Sequence, residues 1–107
     1  MLIRSLLVLG GAACMWLSNP ASAADAQKLL TDSGCMACHA KDKKLVGPAF
    51  QEIAKKYKGN SAASAQLVKK VSDGGSGVWG PIPMPPNAAV PDADIKALVA
   101  WVLAGAK

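Results

Sequence analysis

Cys35, Cys38 and His39 are the residues of this chain best suited to chemistry. They stand in the run Cys-Met-Ala-Cys-His at 35–39. That spacing is the signature of covalent haem attachment. Two thiols can add as thioethers across the two vinyl groups of a haem. Two intervening residues let a single turn of backbone reach both. The histidine that follows is carried to the iron, which it ligates through a ring nitrogen. Other readings of the same residues need more than the sequence offers. A thioredoxin-like redox pair wants a strand–helix setting, and none is evident. A structural zinc site needs four ligands, yet His39 has no second His or Cys cluster to join it. A plain disulfide would close a tiny loop, brace little, and leave His39 unexplained.

The sixth position on the iron follows by elimination. His39 is the only histidine, so paired histidines are excluded. Met1 and Met15 fall within residues 1–23, which read as a cleaved secretory leader. Arg4 supplies its positive start, Leu6 to Leu17 its uncharged apolar run, and Ala21-Ser22-Ala23 its small-x-small end. The run is short for a membrane anchor. Cys14 has no bulky aliphatic residue three positions upstream, as lipidation would want, and reads as one apolar residue of the leader. Met36 lies between the two cysteines, too close to the haem edge to cross over the iron. Met84 remains, within Gly80-Pro81-Ile82-Pro83-Met84-Pro85-Pro86-Asn87. Each proline fixes φ and removes an N–H, so such a loop can lie on an apolar haem face without stranding donors. The competing reading is that Met84 only packs while a lysine or water ligates. His/Met ligation favours ferrous iron and raises the potential. It also fills both axial positions, which suits a carrier of single electrons and not an enzyme. A haem peroxidase or gas sensor would need an open iron, and a signalling role with zinc or a disulfide would need no haem.

These residues must be held by a small domain. Removing residues 1–23 from 107 leaves 84, with eleven Lys against seven Asp and Glu, a net charge of +4. A chain of this size buries too little apolar surface to be comfortable alone. Its large aromatics are Phe50, Tyr57, Trp79 and Trp101, so a cofactor is expected to complete the core. Asp25 to Asp32 reads as a short helix, ended by Ser33-Gly34. Ala40 to Pro48 is a lysine-rich loop closed by Gly47-Pro48. Phe50, Ile53, Ala54 and Tyr57 fall at i, i+3, i+4 and i+7 of an amphipathic helix. Ala62 to Asp73 gives a third, with Leu67, Val68 and Val71 on one face, stopped by Asp73-Gly74-Gly75, since glycine readily supplies a left-handed cap. Residues 74–90 carry glycines and prolines and read as an ordered, functional loop. The last helix is expected to begin at Pro91 in the first helical position. Asp92 and Asp94 suit the helix dipole, and Ile95, Leu98, Val99 and Val102 form the apolar face. No run alternates with period two, so the domain is expected to be all-α.

The chain resembles the small bacterial class I cytochromes c of the cytochrome c-551/c-552 group. The likeness covers essentially all of residues 24–107. It is carried by Cys-Met-Ala-Cys-His, by Val46-Gly47-Pro48-Ala49, and above all by the run from Gly77 to Asn87. The resemblance implies about four helices wrapped around one haem c, located in the periplasm. It implies that the Pro48 carbonyl accepts the second ring N–H of His39. It implies that the Trp79 indole donates to a haem propionate, with Lys70 as a basic residue nearby, and that Asn87 hydrogen-bonds near the Met84 sulfur. Trp101 matches a tryptophan of the last helix and is expected in the core. Ala88-Ala89-Val90-Pro91 is slightly longer than in some relatives, which bears on the cap of that helix.

The resemblance also implies partners: a periplasmic reductase such as nitrite reductase, a terminal oxidase, or a cytochrome bc-type donor. Lys41, Lys43, Lys44, Lys55, Lys56 and Lys58 could form a basic rim that steers docking onto acidic redox partners, or simply a soluble surface. Val46, Ile82 and the prolines would supply an apolar docking face. Export and the scarcity of aromatics argue against nucleic acid. No membrane anchor and no oligomer are indicated, so a monomer is expected.

Overall fold

The computed structural model describes residues 10–11 and 23–107. The leader and Cys14 therefore lie outside the described residues, apart from Gly10, Gly11 and Ala23. Four α-helices follow in order: α1 (Ala23–Asp32), α2 (Phe50–Lys56), α3 (Ala63–Asp73) and α4 (Asp92–Leu103). A single turn of 3-10 helix, Cys35–Ala37, lies between α1 and α2. Among the described residues there is no strand; the one trace of sheet is an antiparallel bridge between Gly75 and Met84. The all-α expectation holds.

α4 is the organising element, and it packs against α1, α2 and α3. Ile95, Leu98, Val99, Trp101 and Val102 are all buried along it, and four of them fall at the i, i+3, i+4, i+7 positions of one face. Ala26 and Leu30 of α1, Phe50 of α2 and Ala106 join Leu98, Trp101 and Val102 in one cluster. Trp101 is buried, and its indole N–H donates to the Lys107 carbonyl at 3.2 Å. Each fully buried side chain of this size contributes about 1.5–3 kcal/mol.

Several boundaries differ from the sequence reading: Tyr57 is the C-cap of α2 and Ala62 the N-cap of α3, each one position outside its helix. α1 begins two residues earlier, at Ala23. Pro91 stands one position outside α4, as its N-cap, with ψ 140. Its φ of −56 suits a helix, but its ψ is extended, so Pro91 contributes only a carbonyl, accepting from Asp94 and Ile95. No side chain caps this helix; Asp92 and Asp94 in the first turn supply negative charge there instead. The exposed pairs Lys28–Asp32 (2.6 Å) and Lys96–Asp92 (2.8 Å) brace α1 and α4. A hydrogen bond, and then the carboxylate charge, holds each ammonium above its ordinary pKa. Both pairs are exposed and carry little stability.

α3 departs most from expectation. Its stripe of Leu67, Val68 and Val71 is on one face, as spaced, yet all three are only half-buried. Ala63 is its one buried residue. Protein side chains alone do not cover that face.

Candidate functional site

The segment from Gly34 to Pro48 is built to present an imidazole. Gly34, at φ 75, turns the chain out of α1 and begins the 3-10 turn. The His39 and Cys38 amides both donate to the Cys35 carbonyl, at 3.0 and 3.2 Å. One tight turn therefore carries both thiols and delivers His39. Cys35 and Cys38 are both half-buried and are not joined to each other by a disulfide; before any bond is made to it, burial pushes the Cys35 thiol up from its ordinary pKa. His39 is buried, at 8% exposure. Its Nδ1 lies 2.7 Å from the Pro48 carbonyl oxygen. A carbonyl only accepts, so Nδ1 carries a proton, and Nε2 is the ring nitrogen left to act as a ligand. The Gly47 amide donates to the Cys38 carbonyl at 2.7 Å, closing the loop back on the motif. Gly47 must be glycine: a Cβ there would stand 2.6 Å from Cε1 of His39. Phe50, the first residue of α2, stacks on the imidazole at 5.0 Å and meets Trp101 edge-on at 5.8 Å. The ring is thus set between a backbone acceptor and the core.

Met84 is held from the other end of the chain. Gly75 and Met84 exchange both backbone hydrogen bonds, at 3.0 and 2.9 Å. Asn87 ties the same loop to the end of α3. Its amide N–H is shared between the Val71 and Ser72 carbonyls. Its side-chain Nδ2 reaches the carbonyls of Val71 (3.1 Å) and Pro85 (3.2 Å). Those bonds go to backbone oxygens flanking the methionine segment, and none goes to the Met84 sulfur. Lys70 is half-buried with its Nζ beside Gly75. Trp79 is 43% exposed, and Lys56 lies over its ring at 5.4 Å. Neither the Lys70 ammonium nor the Trp79 indole N–H has a hydrogen-bond partner among the described residues. No hydrogen bond or ring contact joins the Met84 group to the His39 group directly.

Large apolar side chains lie open on both of these loops. Leu45, Val46, Val78, Trp79 and Ile82 are 43–63% exposed, and the α3 stripe is half-covered. Leu45 and Val46 stand on the loop that carries His39, and Val78, Trp79 and Ile82 on the segment that carries Met84, so both loops hold large apolar side chains open. Among the described residues no three His, Cys, Asp or Glu gather as a metal cluster. A flat apolar group attached through two thiols and ligated by Nε2 fits the donors and the uncovered side chains alike. The class so defined is the small helical protein that carries a covalent haem.

The comparisons narrow that class. The cytochrome c family model matches residues 23–106. Cytochrome c-551 of Allochromatium vinosum is 56% identical over 75 residues, covering 70% of this chain and 80% of that protein. Cytochrome c-551 of Pseudomonas aeruginosa is 48% identical over 87 residues, covering 81% and 83%. The crystal structure of Nitrosomonas europaea cytochrome c552 superposes with a TM-score of 0.72 at 48% identity, covering 74% of this chain and 98% of that one. The chain belongs to the cytochrome c family. It is a monohaem electron carrier, with haem c bound covalently through the Cys-x-x-Cys-His motif, and not an enzyme.

Sequence reasoning did not find the Phe50–His39 stack, the Lys56–Trp79 contact or the Gly75–Met84 bridge. Phe50 was legible only as a core position. A bridge of two residues has no periodicity to betray it. The lysine and tryptophan lie 23 positions apart, and nothing in either neighbourhood signals the pairing.

Proposed function

We propose that this chain is a periplasmic electron carrier whose haem iron is ligated by His39 and Met84, and which docks on acidic redox proteins through the apolar rim beside them. The observation that carries the reading is the His39–Pro48 hydrogen bond of 2.7 Å. It commits Nδ1 to the backbone and leaves Nε2 as a basic ligand in fixed orientation. The bound haem supplies one-electron chemistry at the iron.

The residues around it hold and tune. Cys35 and Cys38 anchor the group. Met84, held by its bridge to Gly75 and flanked by prolines, presents a thioether with little freedom to lose. With the haem bound, the His39 imidazole and the soft Met84 thioether would raise its potential and leave no iron position for a small ligand. Trp79 and Lys70, whose N–H groups find no partner among the described residues, would donate to the cofactor's propionates. Asn87 fixes the Met84 segment to α3 through backbone carbonyls and thereby orients the sulfur. A leader at residues 1–23 accounts for the periplasmic location, where covalent haem attachment takes place in bacteria. Among the described residues no helix is long and apolar enough to cross a membrane. Reductases such as nitrite reductase, terminal oxidases and cytochrome bc-type donors fit as partners. The chain acts as a monomer.

Met84→Ala tests the ligand set. The oxidised wild-type protein is expected to show the weak red-region band of methionine on ferric iron, and its reduced form to resist carbon monoxide. The variant is expected to lose the band and to bind carbon monoxide readily. A variant that keeps both wild-type properties would refute the assignment.

A further inference from the structure

We propose that Gly74 is a positioning residue for the Met84 thioether, acting through the backbone of the methionine segment. The inference rests on the reading of Met84 as the axial ligand, and it adds a residue outside that ligand set. Gly74 follows the last residue of α3, at φ 73 and ψ −164. Its amide donates to the Lys70 carbonyl at 2.8 Å, which locks it to the helix. A Cβ at this position would stand 2.4 Å from the Met84 carbonyl oxygen, 2.8 Å from the Pro86 nitrogen and 2.9 Å from the Pro85 carbonyl carbon. All three atoms are backbone, and two belong to prolines whose φ is fixed. No flexible side chain is there to swing aside.

The next residue is bonded to the same segment. Gly75 and Met84 exchange two backbone hydrogen bonds. The absence of a side chain on Gly74 therefore lets the methionine segment lie directly on the end of α3. Ordinary contact begins near 3.4 Å, so a methyl group at Gly74 would push the Met84 carbonyl away by about 1 Å. Metal–ligand distances hold within about 0.2 Å. A displacement several times that size, imposed on the backbone of the ligating residue, is not absorbed by the iron–sulfur bond.

Positive φ alone does not set Gly74 apart. Gly59 has φ 79 with nothing within 4 Å of its would-be Cβ. Alanine there meets a positive-φ backbone cost of its own without touching the methionine segment. Gly59→Ala thus reports what a positive-φ substitution does where nothing of the methionine segment is struck.

The experiment compares haem-loaded Gly74→Ala, Gly59→Ala and Met84→Ala. It reads the red-region band of the ferric protein, carbon monoxide binding by the ferrous protein, covalent haem by pyridine haemochrome, and helix content by far-ultraviolet circular dichroism. Gly74→Ala is expected to keep its covalent haem and helices, to lose the band, and to bind carbon monoxide as Met84→Ala does. Gly59→Ala is expected to keep the band. Gly74→Ala retaining the band while Met84→Ala loses it would overturn the proposal and leave the ligand reading intact. Met84→Ala retaining the band would overturn both. If Gly74→Ala yields no folded haem protein, the double variant Gly74→Ala/Pro86→Gly, which frees the struck segment, decides. Recovery of folded protein supports the contact as the cause, and no recovery overturns it.

Discussion

The His39 ring is held by three neighbours. Pro48 accepts from Nδ1 at 2.7 Å, Phe50 stacks at 5.0 Å, and Gly47 lies so close that a Cβ would reach Cε1 at 2.6 Å. Gly47 is itself bonded back to Cys38, so neither ring nor backbone can yield cheaply. Overpacking a tight site costs about 1–3 kcal/mol. Gly47→Ala is expected to destabilise the folded protein by about that much, measured by the denaturant midpoint of unfolding, because the ring must tilt away from Pro48. An unchanged midpoint would mean that the loop relaxes freely. The need for glycine here was not readable from sequence. Gly47-Pro48 advertised a turn, and the ring that forbids a side chain comes from eight residues earlier. The motif residues themselves were legible because the chemistry demands them contiguous: Cys35, Cys38 and His39 share one turn of backbone.

Helix α2 shows how much an element can carry in seven residues. Phe50 begins it, joining the imidazole to Trp101 and hence to α4. Its first amide donates to the Ala40 carbonyl at 3.0 Å, tying helix to haem loop. Phe→Ala in a core costs about 3–5 kcal/mol. Phe50→Ala is expected to lie in that range, read from equilibrium unfolding, and a loss below about 1 kcal/mol would show that the stack is incidental. The spacing of Phe50, Ile53, Ala54 and Tyr57 was enough to place this helix. The α3 stripe was also correctly spaced, yet its residues are half-buried. Periodicity tells which face is apolar and not what covers it; in a family built around a prosthetic group, much of the cover is not protein. Pro91 illustrates the other limit. Its fixed φ permits the first helical position, but ψ is free, and the chain turns into α4 one residue later.

Over the whole chain the formal charge is +5, and it is unevenly placed. Lys41, Lys43 and Lys44 are all exposed in the loop after the haem motif, and Lys55, Lys56 and Lys58 follow at α2. Long-range steering of an acidic partner raises association rates by about tenfold to a thousandfold. It acts over a screening length of about 30 Å at 0.01 M salt and about 3 Å at 1 M. Replacing Lys41, Lys43 and Lys44 by Glu is expected to slow electron transfer to an acidic redox partner at least tenfold at low salt, with wild type and variant converging at high salt. Stopped-flow rates against ionic strength give the comparison. Equal rates at low salt would remove the steering role from this cluster.

The proline-rich methionine segment has a consequence for observing the protein in motion. Of residues 81–86, Pro81, Pro83, Pro85 and Pro86 carry no amide hydrogen. Met84 donates its own to Gly75 at 2.9 Å, and Ile82 is 63% exposed. A single protected amide thus reports on the entire segment. Its deuterium uptake is a clock for local opening of the methionine arm, distinct from global unfolding, which the amides of α4 would time.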